Sequence, residues 1–242
     1  MIAFLTSTLG DFYMMDEVTV PLESRNGFIQ NVKTYWKDGA RGLFIAADPE
    51  DFRGNDRMRD EFFRAFSDSG LPFASLSVCD DRDFCIDDIS AYDVIILSGG
   101  HVPTENRFFE KINLFDKITE FDGVLLSLSA GSMNSAKIVY SIPELPGEAL
   151  DPEYKRYFRG LGITECMMIP HYQYFKDVYL DGLHVIHDLA IPDSVGRKFY
   201  AMPDGSYIKV TADEEYIYGE CRLISDGKIE EICREGEKIK LR

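Results

Sequence analysis

The chain has 242 residues, a length for one large α/β domain or two small ones, and 45% of them are hydrophobic, enough to bury a sizeable core. Its 26 lysines and arginines face 42 aspartates and glutamates, and the net charge of −16 repels phosphate backbones and anionic membrane surfaces, so neither nucleic acid nor a membrane is an expected partner. No apolar run approaches the ~20 residues that span a bilayer, the opening MIAFLTSTLG lacks the basic start of a secretory signal, and Cys79, Cys85, Cys166, Cys221 and Cys233 form no C-x-x-C pair, so reduced thiols in a cytoplasm are expected.

Short β-rich apolar runs alternate with polar helical stretches over the first two thirds of the chain, the rhythm of βαβ units around a largely parallel sheet. The expected strands are 2–6 (IAFLT), 42–47 (GLFIAA), 73–78 (FASLSV), 93–97 (DVIIL) and 123–127 (GVLLS). Between the second and third, 56–68 carries Met58, Phe62, Phe63 and Phe66 at helical spacing, with Gly70 as its stop. Beyond residue 200 the runs SYIKV, EEYIYGECRLI and KIEEICREGEKIKL read as antiparallel strands, and Asp226-Gly227 reads as a two-residue hairpin turn. The expected architecture is a three-layer α/β/α sandwich with a mostly parallel central sheet, with 200–242 a β-hairpin appendage of the same single domain.

The stretch GVLLSLSAGSMN, residues 123–134, places a strand, a serine at 129 and an Ala-Gly pair in the pattern small-x-Ser-x-Gly. That pattern fits a nucleophile elbow, in which the chain reverses so sharply that the serine backbone is strained and only small neighbours fit between strand and helix. In such a turn the N–H of Ala130 faces a developing oxyanion. Serines at 127, 129, 132 and 135 suit an ordinary helix start equally well, because serine is a favoured cap.

A second strand end, LSGGHVPTENRFF, supplies Gly99 and Gly100, which let backbone N–H groups turn inward, although the same loop also reads as a plain βα turn capped by Thr104. Of four histidines, His171 follows an apolar run and a proline, a rigid presentation for a base; His101 lies in the glycine loop and suits contact with substrate. His184 and His187 stand at i, i+3 but lack a third partner, so neither a metal nor another cofactor is expected. Glu144 and Glu148, in SIPELPGEAL, are the carboxylates nearest after the serine, and each also reads as an ordinary surface glutamate.

Taken together, LSLSAGSMN, LSGGHVPT and IPHYQ resemble the dipeptidase E (α-aspartyl dipeptidase) and cyanophycinase group, serine peptidases built on the class I glutamine amidotransferase-like fold. The resemblance covers about residues 90 to 175 and implies Ser129 as nucleophile, His171 as general base, and Gly100 and Ala130 as oxyanion donors. Counting fifteen residues on from the serine implies Glu144 as the acid, where the family has aspartate, with Glu148 as the alternative. The sequence departs from the family pattern at Ser127, where glycine is usual, at S-G-G-H, where many members read G-G-G-N, and at Asn134, displaced by one residue.

Glutamine amidotransferases on this fold carry a cysteine at the elbow, and Ser129 in that place argues against ammonia transfer. The implied substrate is a short peptide with an acidic N-terminal residue, whose carboxylate calls for a cation such as Arg107 or Lys137, with His101 and Tyr172 as further contacts. Amidase or esterase action, cleavage of β-aspartyl linkages, and a catalytically silent binding module on the same fold remain open.

Overall fold

A computed structural model describes residues 1–10, 21–82 and 88–241; Cys85 lies outside them. Five parallel strands form the centre: β1 (Ile2–Thr6), β2 (Ala40–Ile45), β3 (Phe73–Cys79), β4 (Val94–Leu97) and β5 (Val124–Leu128). They lie in the order β3-β2-β4-β5-β1. Because side chains alternate faces along a strand, the apolar runs serve two cores at once. Ala3, Leu5, Ile95, Leu97 and Leu125 join one core, and Phe4, Val94, Ile96, Leu126 and Leu128 join the other.

Each face is covered by helices. On the second face lie α1 (Phe28–Lys33) and α2 (Phe52–Asp68), the latter burying Phe62, Ala65 and Phe66. On the first lie α3 (Val102–Lys111) and α4 (Leu114–Lys117), contributing Phe108, Phe109, Ile112 and Leu114. Truncating a ring as enclosed as Phe62 or Phe109, both 0% exposed, costs about 3–5 kcal/mol. Helix α2 begins four residues before the apolar spacing does, because Asp51 accepts a hydrogen bond from Gly54 N–H and caps an exposed first turn. Gly70, at φ 74°, ends it.

After β5 come α5 (Ala130–Asn134), β6 (Ile138–Tyr140), β7 (Tyr157–Arg159) and β8 (Met167–Ile169), then α6 (Tyr172–Phe175) and the short pair β9 (Tyr179–Leu180) and β10 (Leu183–His184). The remaining strands are β11 (Lys198–Ala201), β12 (Tyr207–Val210), β13 (Glu215–Tyr218), β14 (Cys221–Ser225), β15 (Lys228–Cys233) and β16 (Lys238–Lys240).

These C-terminal strands divide between two sheets. β12, β13 and β16 continue the central sheet antiparallel beyond β1, and β15-β14-β11-β8 form a second sheet. Asp226 (φ 48°) and Gly227 (φ 76°) join β14 to β15, both in the left-handed region that a two-residue hairpin turn requires. The second sheet matters for function because Ile169, Phe199, Ala201 and Ile224 share a core with Ala130 and Met133 of α5. That packing draws the end of β8 against the turn that follows β5.

Candidate active site

The register of the sheet sets the strand ends level. Thr6 lies opposite Leu128 and Leu97 opposite Ser127, so β1, β5 and β4 finish together at the carboxyl edge, the edge where open α/β sheets place their ligands. Ser129 follows at once, with φ 49° and ψ −113°, well outside the ordinary left-handed well for a residue with a β-carbon. Strain of this kind costs about 1–3 kcal/mol and persists only when the surroundings over-determine it. They do so here: Ser129 N–H donates to Thr6 O at 3.0 Å, Gly131 N–H donates to Ser98 O at 3.0 Å, and the Ser132 hydroxyl donates to Thr6 O at 2.7 Å. A β-carbon on Gly131 would stand 2.7 Å from Leu97 Cβ and 2.8 Å from two carbonyl oxygens, so only glycine lets α5 lie this close to β4.

Ser127 stands where a second glycine was the expected pattern, and the fold uses its hydroxyl. It is fully buried, 3.2 Å from the Ser135 hydroxyl, which itself donates to Gly131 O at 2.8 Å. Strand and helix are thus tied together by the serines on either side of the turn. Gly100, in the neighbouring loop, would press an added β-carbon to 2.7 Å from Ala47 Cβ, which makes it a close-approach glycine between the ends of β4 and β2. Helix α3 then starts with His101, not Thr104, at its N-terminal cap.

His171 follows β8 and Pro170 with φ 53°, a left-handed conformation that turns it back over the strand end. Its N–H donates to the Ser7 hydroxyl at 3.1 Å, and Ser7 in turn donates to Met202 O at 3.0 Å. Ser129 and His171 are therefore fastened by their backbones to consecutive residues, Thr6 and Ser7. His171 Nδ1 lies 2.7 Å from Asp204 Oδ1, and its Nε2 has no hydrogen-bond partner among the described residues. Ser129 Oγ likewise makes no hydrogen bond there, to His171 included.

Asp204 is the residue the sequence reading passed over. It sits in MPDGSY, which looks like a plain turn between two strands, 75 positions from the serine (204 − 129). Parallel pairing of β8 with β11, from Phe199↔Met167 to Ala201↔Ile169, brings it to His171. The ladder runs on past both strands, with Met202 N–H donating to Ile169 O at 2.9 Å and Tyr172 N–H to Met202 O at 3.1 Å. The available signal was the Pro-Asp-Gly directly after an apolar strand, the same kind of ending that presents His171.

Glu144 and Glu148 are elsewhere. Glu148 Oε1 is 2.8 Å from His101 Nε2, and Oε2 accepts N–H groups of Glu144 and Leu145 at 2.9 and 3.0 Å, so this carboxylate fastens the loop after β6 to the glycine loop. The other nitrogen of His101 is 2.8 Å from the Thr104 hydroxyl. The Glu144 carboxyl accepts no hydrogen bond among the described residues; burial, reinforced by the Glu148 carboxylate, pushes its pKa up to about 7. It is not the carboxylate on His171.

Cavities among the described residues flank the glycine loop. One, of about 440 Å³, is lined by His101, Arg107, Glu148, Asp151, Tyr154 and Lys155 among others. The second, of about 280 Å³, lies between Ser98-Gly99 and the start of α2, with Asp48, Asn55 and Met58 in its wall. Arg107 spends one hydrogen bond on Thr104 at 3.2 Å, and neither it nor Lys155 is ion-paired among the described residues. Lys137 lines neither cavity; it pairs with Glu165 at 3.0 Å on an exposed edge. Tyr172 packs beside the second sheet under the Arg222 guanidinium, 5.7 Å from its ring centroid. His184 Nδ1 accepts the N–H of His187 and so serves as a helix cap. Among the described residues no group of three metal-binding side chains is present, and no helix is long and apolar enough to cross a membrane.

No known family pattern and no curated protein matches the sequence. Solved structures do match. A peptidase from an acI-B1 Actinobacterium superposes with a TM-score of 0.65 at 16% identity, covering 99% of this chain and 96% of that one. A candidate Peptidase E protein from Listeria monocytogenes EGD-e gives 0.58 at 13% identity, covering 96% and 98%. The mixed α/β architecture, with its large, mostly parallel central sheet, flanking helices and added antiparallel strands, is shared with these neighbours along nearly the whole chain.

Proposed function

We propose that the protein is a serine peptidase acting on short peptides, with Ser129 as nucleophile, His171 as general base and Asp204 as the acid that orients it. The observation that carries this reading is the strained Ser129 turn set beside a His171–Asp204 pair of 2.7 Å, the two held by hydrogen bonds to Thr6 and Ser7. Peptidases among the structural neighbours lend it support.

In the reaction, Ser129 Oγ attacks the peptide carbonyl while His171 Nε2 takes its proton, and Asp204 holds Nδ1–H so that Nε2 is the free, accepting nitrogen. The carbonyl oxygen gains negative charge, which the N–H groups of Gly100 and Ala130 would stabilise, a contribution of about 3–4 kcal/mol for one such donor. Collapse of the tetrahedral species breaks the C–N bond and His171 returns the proton to the leaving amine. Water then repeats the sequence on the acyl-serine ester and regenerates Ser129. The orienting carboxylate contributes without being protonated, by fixing the imidazole tautomer and stabilising its cation.

We assign substrate choice to the larger cavity, which shares His101 with the glycine loop but is lined by neither Ser129 nor His171. Its 440 Å³ suits a dipeptide-sized ligand, and Arg107 and Lys155, not ion-paired among the described residues, would take a substrate carboxylate while Asp151 and Glu153 would take a substrate ammonium. A dipeptide with an acidic N-terminal residue matches both signs. The test is labelling with a serine-directed fluorophosphonate, followed by a panel of Asp-Xaa, Glu-Xaa and neutral dipeptides. Adduct on Ser129 and faster turnover of the acidic members are expected. A folded protein with no adduct would remove the enzyme reading, and equal turnover of neutral dipeptides would remove the acidic preference.

A further inference from the structure

We infer that Glu105 and Asn134 form a buried clamp that sets the glycine loop against the nucleophile helix, which makes Glu105 a positioning residue for the oxyanion donors. The catalytic consequence rests on the peptidase reading; the clamp itself does not.

The segment from Ser98 to Glu105 is bonded to α5 at both ends. At one end Gly131 N–H donates to Ser98 O at 3.0 Å. At the other, Asn134, the last residue of α5 and 0% exposed, uses both hydrogens of its side-chain amide: Nδ2 donates to Val102 O at 3.1 Å and to Glu105 Oε2 at 2.8 Å. Its Oδ1 accepts from Asn106 Nδ2 at 2.9 Å, and its backbone oxygen accepts from Leu161 N–H at 2.8 Å. Val102, Glu105 and Asn106 stand at i, i+3 and i+4, one face of α3, so a single amide reads the first turn of that helix. Gly100 hangs between the two anchor points, and its distance from Ala130 is fixed by them.

Glu105 is an unusual choice for such a place. It is 0% exposed and, among the described residues, touches no cation and leaves Oε1 without a partner. Burial holds its carboxyl well above the usual carboxylate range, against the one hydrogen bond from Asn134 that lowers it. Packing alone would be served better by an apolar side chain, because a buried polar atom without a partner destabilises. What an apolar residue cannot do is accept the second Asn134 hydrogen, and without that acceptor this end of the loop keeps only two of its three bonds to the Asn134 side chain, those of Val102 O and Asn106 Nδ2.

The experiment compares Glu105→Gln, Glu105→Met and Asn106→Ala with the wild type, reading kcat and KM on a turned-over dipeptide and amide hydrogen exchange of residues 98–102. Glu105→Gln keeps an acceptor and is expected within about 3-fold of wild type in kcat. Glu105→Met should lower kcat about 10- to 100-fold with KM unchanged within 3-fold, the scale of a small misplacement of catalytic groups. It should also speed exchange in 98–102 at least 10-fold while β2 is unaffected. Asn106→Ala, at a partly exposed position where folding is safe, should do the same more weakly, about 3- to 10-fold in kcat. Unchanged kcat or unchanged exchange in the folded Met or Ala variants overturns the inference, as does a Gln variant as impaired as Met. Failure of the peptidase reading is seen separately, as a wild type that turns over nothing, and exchange then decides the clamp alone.

Discussion

Two histidines stand at this edge of the sheet, each with one ring nitrogen against a carboxylate at nearly the same distance, 2.7 Å for His171–Asp204 and 2.8 Å for His101–Glu148. They differ in what the second nitrogen does. In His101 it is taken by Thr104, so that both nitrogens are engaged and the ring is a strut between two loops. In His171 it is free among the described residues, and the backbone is held left-handed to keep it where it is. A histidine–carboxylate pair is thus not by itself a catalytic signature; on the proposed reading the free nitrogen and the left-handed backbone mark His171 as the base and His101 as the strut.

The comparison is anchored by the serine. Ser129→Ala is expected to remove at least about 10⁴-fold in kcat without loss of fold, since the nucleophile acts as a unit with its base. Steady-state hydrolysis alongside circular dichroism measures it, and substantial residual turnover would place the nucleophile elsewhere. Next in size, His171→Ala and Asp204→Asn should cost about 10³- to 10⁴-fold, because loss of the orienting carboxylate leaves the imidazole in the wrong tautomer. Glu144→Gln should cost less than about 10-fold under the same assay. If Glu144→Gln is the crippling change and Asp204→Asn the mild one, the triad counted along the sequence is restored. His101→Ala is expected to act differently, leaving the half-buried Glu148 with Oε1 unpartnered and only its two backbone N–H groups on Oε2. That destabilises by about 1–3 kcal/mol, read as a fall in Tm, and raises KM by up to about 10-fold while kcat moves little.

Local features of the chain were enough to read the serine turn and the five parallel strands. The strand apolar runs are continuous because both faces are buried, and the Ala-Gly pair after Ser129 is a steric necessity visible in sequence, as the crowding at Gly131 makes clear. Asp204 was not legible for the opposite reason. Its tie to His171 comes from the pairing of β8 with β11, and counting along the chain from the serine reaches Glu144 instead of crossing the sheet. The same limit governs the C-terminal strands. Their alternation announces antiparallel pairing, yet nothing local to Tyr207–Val210 says it will lie on β1 while Cys221–Ser225 joins β11. Helix α2 shows the lesson in miniature, since the apolar stripe marks the buried face but the start is set by the Asp51 cap.

The smallest effect concerns Glu144, whose carboxyl is the mirror of Asp204. Asp204 has a partner in His171; Glu144 has the Glu148 carboxylate nearby and no hydrogen bond of its own among the described residues. Burial and that neighbour raise its pKa in the folded chain to about 7, above the 4.5 of an unstrained glutamate. A group whose pKa is raised on folding binds its proton more tightly in the native state, so its contribution is favourable below the unfolded value and is lost as pH climbs through the folded one. Glu144→Gln cannot ionise and escapes that loss. The variant should therefore melt about 2 °C above wild type at pH 8 and level with it at pH 4, a thermal shift measured across the window between those values. A gain equal at both pH values would mean that Glu144 is not held neutral by its surroundings, and a gain larger at pH 4 would reverse the sign of the interaction with Glu148.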